Sequence, residues 1–295
     1  MKIQFWGVRG SIASPGPDTR EVGGNTSSVE VVAGDTRILL DAGTGLRALG
    51  NHLLKEGTDV RATLLLSHYH WDHIQGLPFF VPLYQKSTQL EIVGARNGLM
   101  SVRETLEHQM RAPVFPVRLG DVGARLTTRE ILPGDVFHVG DVCVRTLRGV
   151  HPDGVLAYRL EHAGRSVVYA TDIEHAGALV DPAMCAFAQG ADVLIYDAQY
   201  TDEEYTGSGG APPKVGWGHS TISAGVALAR AAGVGRYVLF HHDPARTDAA
   251  VEALERTAQA AFAPSIAARE GLCLSVPAPV RVDRLGIEQL ADRAA

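Results

Sequence analysis

Ser67–Gly76 reads SHYHWDHIQG and places three histidines and an aspartate within six consecutive positions, directly after the apolar run RATLLL. In an extended segment, side chains two apart point the same way, so His68 and His70 can converge on one ion. The chain must then turn, and Asp72 and His73 can address a second point a few ångströms away. Imidazole nitrogens combined with a carboxylate oxygen suit Zn²⁺, with Mn²⁺ or Fe²⁺ as alternatives. The bland alternative is a pair of surface histidines beside an N-cap aspartate. Four ligand-type side chains at this spacing, at the end of an apolar strand, outweigh it. One ion needs three or four protein ligands, so other segments must contribute. RTLRGVHPDG offers His151, SVVYATDIEH offers Asp172, whose carboxylate could bridge two ions, and RYVLFHHDP offers His241 or His242. Each of these lies at the end of a strand pattern.

The elements that must carry these residues follow from patterning. Strand signals fall at KIQFWG, SSVEVV, TRILLDAG, ATLLLS and LEIVG, then across ARLTTREIL, DVFHVG, DVCVRTL, VLAYRLE and RSVVYAT, and later at DVLIYDA and RYVLFHH. Helices are expected near Gly45–Leu54 and over residues 99–109, 181–189, 222–232 and 248–262. Ser220 or Thr221 caps the fourth of these and Thr247 the fifth. The stretch GVRGSIASPGPDTREVGGNTSS is too rich in Gly, Pro, Ser and Thr for regular structure. Two runs of mixed strands, each followed by helices, give an α/β fold, an αββα sandwich of two mixed β-sheets flanked by helices. One hydrolase domain is expected over residues 1–275. The tail 276–295, VPAPVRVDRLGIEQLADRAA, is expected to pack on that domain or on a neighbouring subunit.

Composition narrows the classes. The 295 residues are 45% hydrophobic, enough for a substantial core, and no continuous apolar stretch has the length of a membrane span. The first residues, MKIQFWGVRG, read as a strand rather than a signal peptide. Three widely spaced cysteines, Cys143, Cys185 and Cys273, fit neither a disulfide framework nor a cysteine-type zinc site, which favours a cytoplasmic location. The formal net charge of −6 and scattered arginines argue against long nucleic acid as a partner.

SHYHWDH matches the HxHxDH signature of the metallo-β-lactamase superfamily, and VHPDG, YATD and LFHH stand where its later ligands lie. The resemblance spans nearly the whole chain. It implies two divalent ions: one held by His68, His70 and His151, the other by Asp72, His73 and His241, with Asp172 bridging them. LFHHD aligns with the strand end of the phosphodiesterase branch, which selects His241 over His242. Asp41, in LLDAG, matches an aspartate that supports the histidines without binding metal.

The fold hosts many reactions, so the site must decide among them. VLIYDAQY places Asp197 after a strand and GWGHST places His219 before a helix. Alone they would be a surface aspartate and a helix-leading histidine. In the branch of tRNase Z and the cyclic phosphodiesterase of phosphonate breakdown, matching positions carry a carboxylate–histidine pair that acts on the leaving oxygen or the phosphate. The chain departs from tRNase Z in having Asp rather than Glu there. It also lacks the long Gly/Pro-rich insertion of the tRNA-gripping arm between HPDG and YATD. The resemblance thus implies a dinuclear phosphodiesterase acting on a small phosphodiester, such as a cyclic nucleotide or short oligonucleotide, through a metal-bridging hydroxide. Its catalytic set is Asp72, which is also a ligand, with His219 as general acid and Asp197 orienting it. The alternative is a dinuclear hydrolase of thioesters, lactones or β-lactams, and a ligand-binding module with a dead centre ranks below both. A homodimer is a further expectation. The opening FWGVRGSIASPGPDTREVGGNTSSVEV resembles a bacterial subgroup of that branch, with Arg9, Ser11, Asn25 and Thr26 expected to face the centre. Residues 100–120 are expected to form a lid.

Overall fold

Alternation along the strands assigns their side chains to two separate apolar layers. Ile38 and Leu40 point into the larger cluster and Leu39 into the smaller; Leu65 and Val93 join the larger, and Leu64, Leu66, Leu90 and Ile92 the smaller. Such strands are covered on both faces, which is why they read as continuous apolar runs rather than as alternating ones. The computed structural model describes residues 1–277 except 58, 176, 178 and 209.

Among the described residues, the first sheet takes β1 (Lys2–Gly7), β2 (Ser28–Ala33), β3 (Thr36–Leu40), β4 (Arg61–Leu65), β5 (Gln89–Gly94) and β6 (Arg125–Glu130). The second takes β7 (Val136–Val139), β8 (Val142–Gly149), β9 (Val155–His162), β10 (Arg165–Ala170), β11 (Val193–Asp197), β12 (Tyr237–Phe240) and β13 (Ser265–Ala267). The chain then returns, and β14 (Cys273–Ser275) pairs antiparallel with β1 at the edge of the first sheet. Both sheets are mixed: β3 to β6 run parallel, as do β10 to β13, and the remaining neighbours are antiparallel. The helices are α1 (Gly45–Lys55), α2 (Trp71–Ile74), α3 (Val102–Gln109), α4 (Pro182–Ala188), α5 (Asp202–Thr206), α6 (Ile222–Ala231) and α7 (Asp248–Ala261). The inner faces of the sheets meet through Phe5, Val29, Val31, Tyr158, Tyr169 and Phe240. Leu46, Leu49 and Leu53 of α1 and Val102 and Leu106 of α3 join the smaller cluster on the first sheet's outer face.

The expected αββα sandwich is therefore the observed architecture. Thr221 and Thr247 cap α6 and α7, each accepting a backbone N–H three residues on. Unforeseen were α2, α5, β13 and β14, all of five residues or fewer. Segments that short carry too little periodicity to read. Val276 exchanges two backbone hydrogen bonds with Met1, of 2.8 and 2.9 Å. The rest of the expected tail, from residue 278, lies outside the described residues. No helix among the described residues is long and apolar enough to cross a membrane.

Candidate metal centre

The carboxyl ends of the parallel strands in both sheets meet at one cleft, the usual place for a site in open α/β sheets. From the first sheet, β3 runs into Asp41 and β4 into Ser67 and His68. The backbone N–H of Ser67 donates to Asp41 Oδ1 (2.7 Å) and its hydroxyl to Asp41 Oδ2 (2.8 Å). His70 is the extended residue that precedes α2, so the chain reverses there and carries Asp72 and His73 back toward the cleft. From the second sheet, His151 follows β8, Asp172 follows β10, Asp197 ends β11 and His241 follows β12. Asp41, Asp172 and His241 all have left-handed backbones, with φ of 60°, 55° and 62°. That turn immediately after a strand aims each side chain across the gap. It is also strained for a residue with a Cβ, which is typical of functional sites.

Each of four histidines has one ring nitrogen tied to the protein and the other left for the cleft. His73 Nδ1 donates to Asp41 Oδ2 (2.8 Å), which also accepts the Tyr169 hydroxyl (2.7 Å). His241 Nδ1 donates to Gln199 Oε1 (2.8 Å), and His151 Nδ1 to the carbonyl of Gly218 (2.8 Å). His68 Nδ1 lies 3.0 Å from Ser67 Oγ, whose proton is already committed to Asp41, so the ring nitrogen is the donor. These outer partners fix the tautomers that present Nε2 as a lone pair. Asp41 takes the supporting place expected of it. Gln199, Ser67, Tyr169 and the Gly218 carbonyl were not foreseen. Only Gln199, two residues past Asp197 in the strand-end run YDAQY, carries a signal that could have been read.

The free ligand atoms form two groups that share one carboxylate. In the first, His151 Nε2 is 3.0 Å from His70 Nδ1, and the rings of His68, His70 and His151 pack within 4.9 Å of one another. Asp172 Oδ1 faces this group, 3.9 Å from His68 Nε2 and 4.0 Å from His151 Nε2. In the second, His73 Nε2 and His241 Nε2 are 3.3 Å apart, and each lies 3.1 Å from Asp72 Oδ2 and 3.2 Å from Asp172 Oδ2. A tetrahedral ion with ligand bonds near 2.0–2.1 Å sets ligand-to-ligand edges of about 3.3 Å, so the second group has the spacing of a coordination shell. A cation at this point would satisfy both ring nitrogens and both carboxylate oxygens at once. His68 Nε2 is likewise buried without any hydrogen-bond partner, an atom that a cation at the first group would satisfy. The donor set fits divalent metal. All seven expected ligands therefore lie together, and His242 does not join them: its ring is buried on the far side and Nε2 donates to the carbonyl of Ala268 (3.0 Å).

The field in the cleft is negative. Burial disfavours charge on His73, yet Asp172, Asp72 and Asp41 hold its pKa well above the ordinary histidine range. Burial works against Asp72 too, but His73 and His241 hold its carboxyl well below the usual range. Asp172 is similarly depressed against its own burial, by His241 and His73. His68 and His151, further from the carboxylates, are pushed down chiefly by burial. A site that attracts protons this strongly also attracts cations.

Asp197 and His219 sit at the edge of the second group. His219 Nδ1 donates to Asp197 Oδ2 (2.9 Å), and its ring stacks on His241 with centroids 5.0 Å apart. Burial lowers the affinity of His219 for a proton, but Asp197 more than offsets it and the pKa stands at about 9. Asp197 also accepts the backbone N–H groups of Asp172 (3.2 Å), Gln199 (3.1 Å) and Ser220 (2.9 Å). Buried Glu174 accepts the Tyr205 hydroxyl and the N–H groups of Gly216 and Gly218, tying down the loop that leads into His219.

The N-terminal loop departs from expectation. Arg9 is fully buried, and its guanidinium binds the carbonyls of Gly23, Asp243 and Arg246 instead of facing the cleft. Asn25 is held by Glu270, and Thr26 pairs with Thr44. Only Ser11 reaches the centre, its N–H donating to Asp72 Oδ2 (2.7 Å). Residues 100–120 do not line the cleft; Gln109 binds the carbonyl of Ile74 and Phe115 packs on Phe79, so this segment buttresses α2. The cleft, about 440 Å³, is lined by Ser11, Tyr69, His70, Trp71, Asp72, Asp172 and His219.

Comparison with known proteins agrees with this geometry. The Beta-lactamase superfamily domain matches residues 36–242. Ribonuclease Z of Thermoplasma acidophilum is 24% identical over 85% of this chain and 89% of its own. Among solved structures, the metallo-β-lactamase fold protein YhfI from Bacillus subtilis superposes with a TM-score of 0.68 at 19% identity, covering 93% of this chain and 99% of that one. The short form of human tRNase Z gives 0.66 at 18%, covering 94% and 100%. With its strand-end histidines and carboxylates on two facing mixed sheets, the chain belongs to the β-lactamase superfamily, as a metal-dependent hydrolase of the tRNase Z-like branch.

Proposed function

We propose that the protein is a dinuclear phosphodiesterase that hydrolyses a small phosphodiester, such as a cyclic nucleotide or a short oligonucleotide. The observation that carries this reading is the Asp197–His219 pair beside two ligand groups that share Asp172. His68, His70 and His151 would hold one divalent ion and Asp72, His73 and His241 the other, Zn²⁺ first among the candidates, with Asp172 within reach of both groups. When bound, such ions would acidify water toward neutral pH and offset charge on the phosphoryl oxygens. Asp41, Gln199, Ser67 and the Gly218 carbonyl keep the ring nitrogens aimed. Asp72, whose Oδ2 accepts the Ser11 N–H, lines the cleft together with His219 and Asp172. His219 carries its proton on Nε2 toward the cleft while Nδ1 stays with Asp197, and it delivers that proton to the departing alkoxide. A thioester expels a thiolate, which leaves without such an acid, so the pair favours a diester over a thioester. The ribonuclease Z relatives point to the same bond. Small substrates are favoured over long RNA by the net charge of −6 and by the hairpin between β9 and β10, whose strands are joined by Ala163 and Gly164 alone. Three free cysteines accord with a cytoplasmic setting.

The test is His219→Ala at matched metal content. Turnover of a diester with a ribose or alkyl leaving group is expected to fall by roughly 10²–10⁴, the usual worth of general acid catalysis. Bis(4-nitrophenyl) phosphate, whose leaving group departs unaided, suffers less. Equal losses on both would reject the acid role, and faster turnover of nitrocefin or acyl thioesters than of any diester would reject the phosphodiesterase reading.

A further inference from the structure

One cleft residue is left without a task by the mechanism. Trp71 stands between two proposed ligands, His70 and Asp72, as the first residue of α2, and its side chain is 74% exposed. Its neighbours in the same short helix, Asp72, His73 and Ile74, are buried, so Trp71 alone of the four faces outward. The remaining cleft lining is polar or ligating, apart from the ring of Tyr69, whose hydroxyl is bound to the carbonyl of Ala95 (2.5 Å). Among the described residues, no side chain stacks on the Trp71 indole and none hydrogen bonds to it. Leaving so large an aromatic surface in water forgoes the burial that usually stabilises tryptophan. Its backbone is fixed by the hydrogen bonds of His73 N–H to the His70 carbonyl and of Gln75 N–H to the Trp71 carbonyl. It is thus a flat apolar face, carried on a hydrogen-bonded backbone, within the cleft that also holds His219 and Asp172.

What fills that cleft in the working enzyme is substrate. Resting on the phosphodiesterase reading above, we propose that Trp71 is a stacking platform for a nucleobase, so that the alcohol released beside His219 is a nucleoside rather than a simple sugar or alkyl alcohol. An indole face accepts any of the bases because each has a π-surface, and it discriminates against substituents that lack a ring. A second, smaller recess of about 150 Å³ opens on the other side of Tyr69 and His70, with Asn97, Arg148 and Asp153 in its walls above Leu132 and Leu156. The larger cleft, about 440 Å³, has the volume typical of a small-molecule site and is the one that brings Trp71 together with His219 and Asp172.

The metal-loaded protein is titrated with adenosine 5′-monophosphate and with ribose 5-phosphate by calorimetry, so the readout is binding and not turnover. Base stacking should make the nucleotide bind about 5–150-fold more tightly than the sugar phosphate. Trp71→Phe keeps most of that preference. Trp71→Leu, which keeps apolar bulk but no ring, loses it while leaving ribose 5-phosphate affinity and metal content unchanged. Adenosine 5′-monophosphate also quenches indole emission in the wild type but not in Trp71→Phe, where Trp6 and Trp217 remain. Equal affinity of the wild type for both ligands overturns the proposal, as does a Trp71→Leu variant that weakens both alike. If no diester is cleaved, bis(4-nitrophenyl) phosphate included, the underlying reading falls and takes the substrate class of this subsite with it. That outcome is visible in the wild type alone and is distinct from a failure of stacking.

Discussion

Adjacent histidines after β12 do opposite jobs, and a single residue of register separates them. His241 turns into the cleft because its backbone is left-handed, and Gly10 leaves room for the ring, since a Cβ at that position would lie 2.4 Å from it. His242 points away and is a structural group, kept neutral by burial with its pKa pushed down to about 3. Removing each should therefore give different losses. His241→Ala is expected to lose the ion held with Asp72 and His73, with activity falling accordingly. His242→Ala leaves the carbonyl of Ala268 unsatisfied, which costs about 1–3 kcal/mol of stability, yet it keeps its metal. Elemental analysis and thermal melts of the two variants check this, and metal loss confined to His242→Ala would invert the assignment.

At the scale of elements, what positions the site is the ends of strands and the glycines beside them. Gly218 has φ of +86°, and a Cβ there would fall 2.1 Å from His151 Nδ1, the atom its own carbonyl holds. Gly216 has a similar φ of +83° but nothing within 4 Å of where its Cβ would be. Comparing Gly218→Ala with Gly216→Ala thus separates backbone strain, common to both, from the clash, present in one. Both should lose the small cost of the strained backbone, and Gly218→Ala the further cost of the overlap. Only Gly218→Ala should displace His151, and a misplacement of about 1 Å at a catalytic centre is worth roughly 10²-fold in turnover. If the two variants lose activity equally, the glycine matters for its φ and not for the imidazole. The same elements show what was legible beforehand. Long strands and amphipathic helices announce themselves by period, and His68, His70, Asp72 and His73 by crowding. His151, Asp172 and His241 were visible only as strand-end residues that match a family pattern. The left-handed turns at Asp41, Asp172 and His241, the carbonyl of Gly218 and the amide of Ser11 are backbone features with no residue-type signature. Arg9 shows the converse: the resemblance of its loop placed it facing the centre, whereas burial and three carbonyl partners make it a clamp between the N-terminal loop and the segment before α7.

For the molecule as a whole, the centre joins the two sheets. His68, His70, Asp72 and His73 come from the first, and His151, Asp172 and His241 from the second, so a bound ion in either group is a cross-link between layers that otherwise meet through apolar side chains. Metal binding must then appear as folding stability. Each ion present at about 1,000 times its dissociation constant adds roughly 4 kcal/mol, and in a domain of this size each kcal/mol raises Tm by about 2–4 °C, so one site contributes on the order of 8–16 °C. Chelated protein should melt lower by that amount or more, and restoring Zn²⁺ or Mn²⁺ should return the loss. Asp172 makes the sharper case, because Oδ1 faces the first group and Oδ2 the second. A carboxylate shared in this way cannot be weakened for one ion alone. Asp172→Asn should therefore reduce the metal-induced rise in Tm for both sites together and bring metal content well below that of His241→Ala, which touches only the second. A stoichiometry of one tightly held ion in Asp172→Asn, with half the stabilisation intact, would show that the two groups bind independently and that Asp172 serves only one of them.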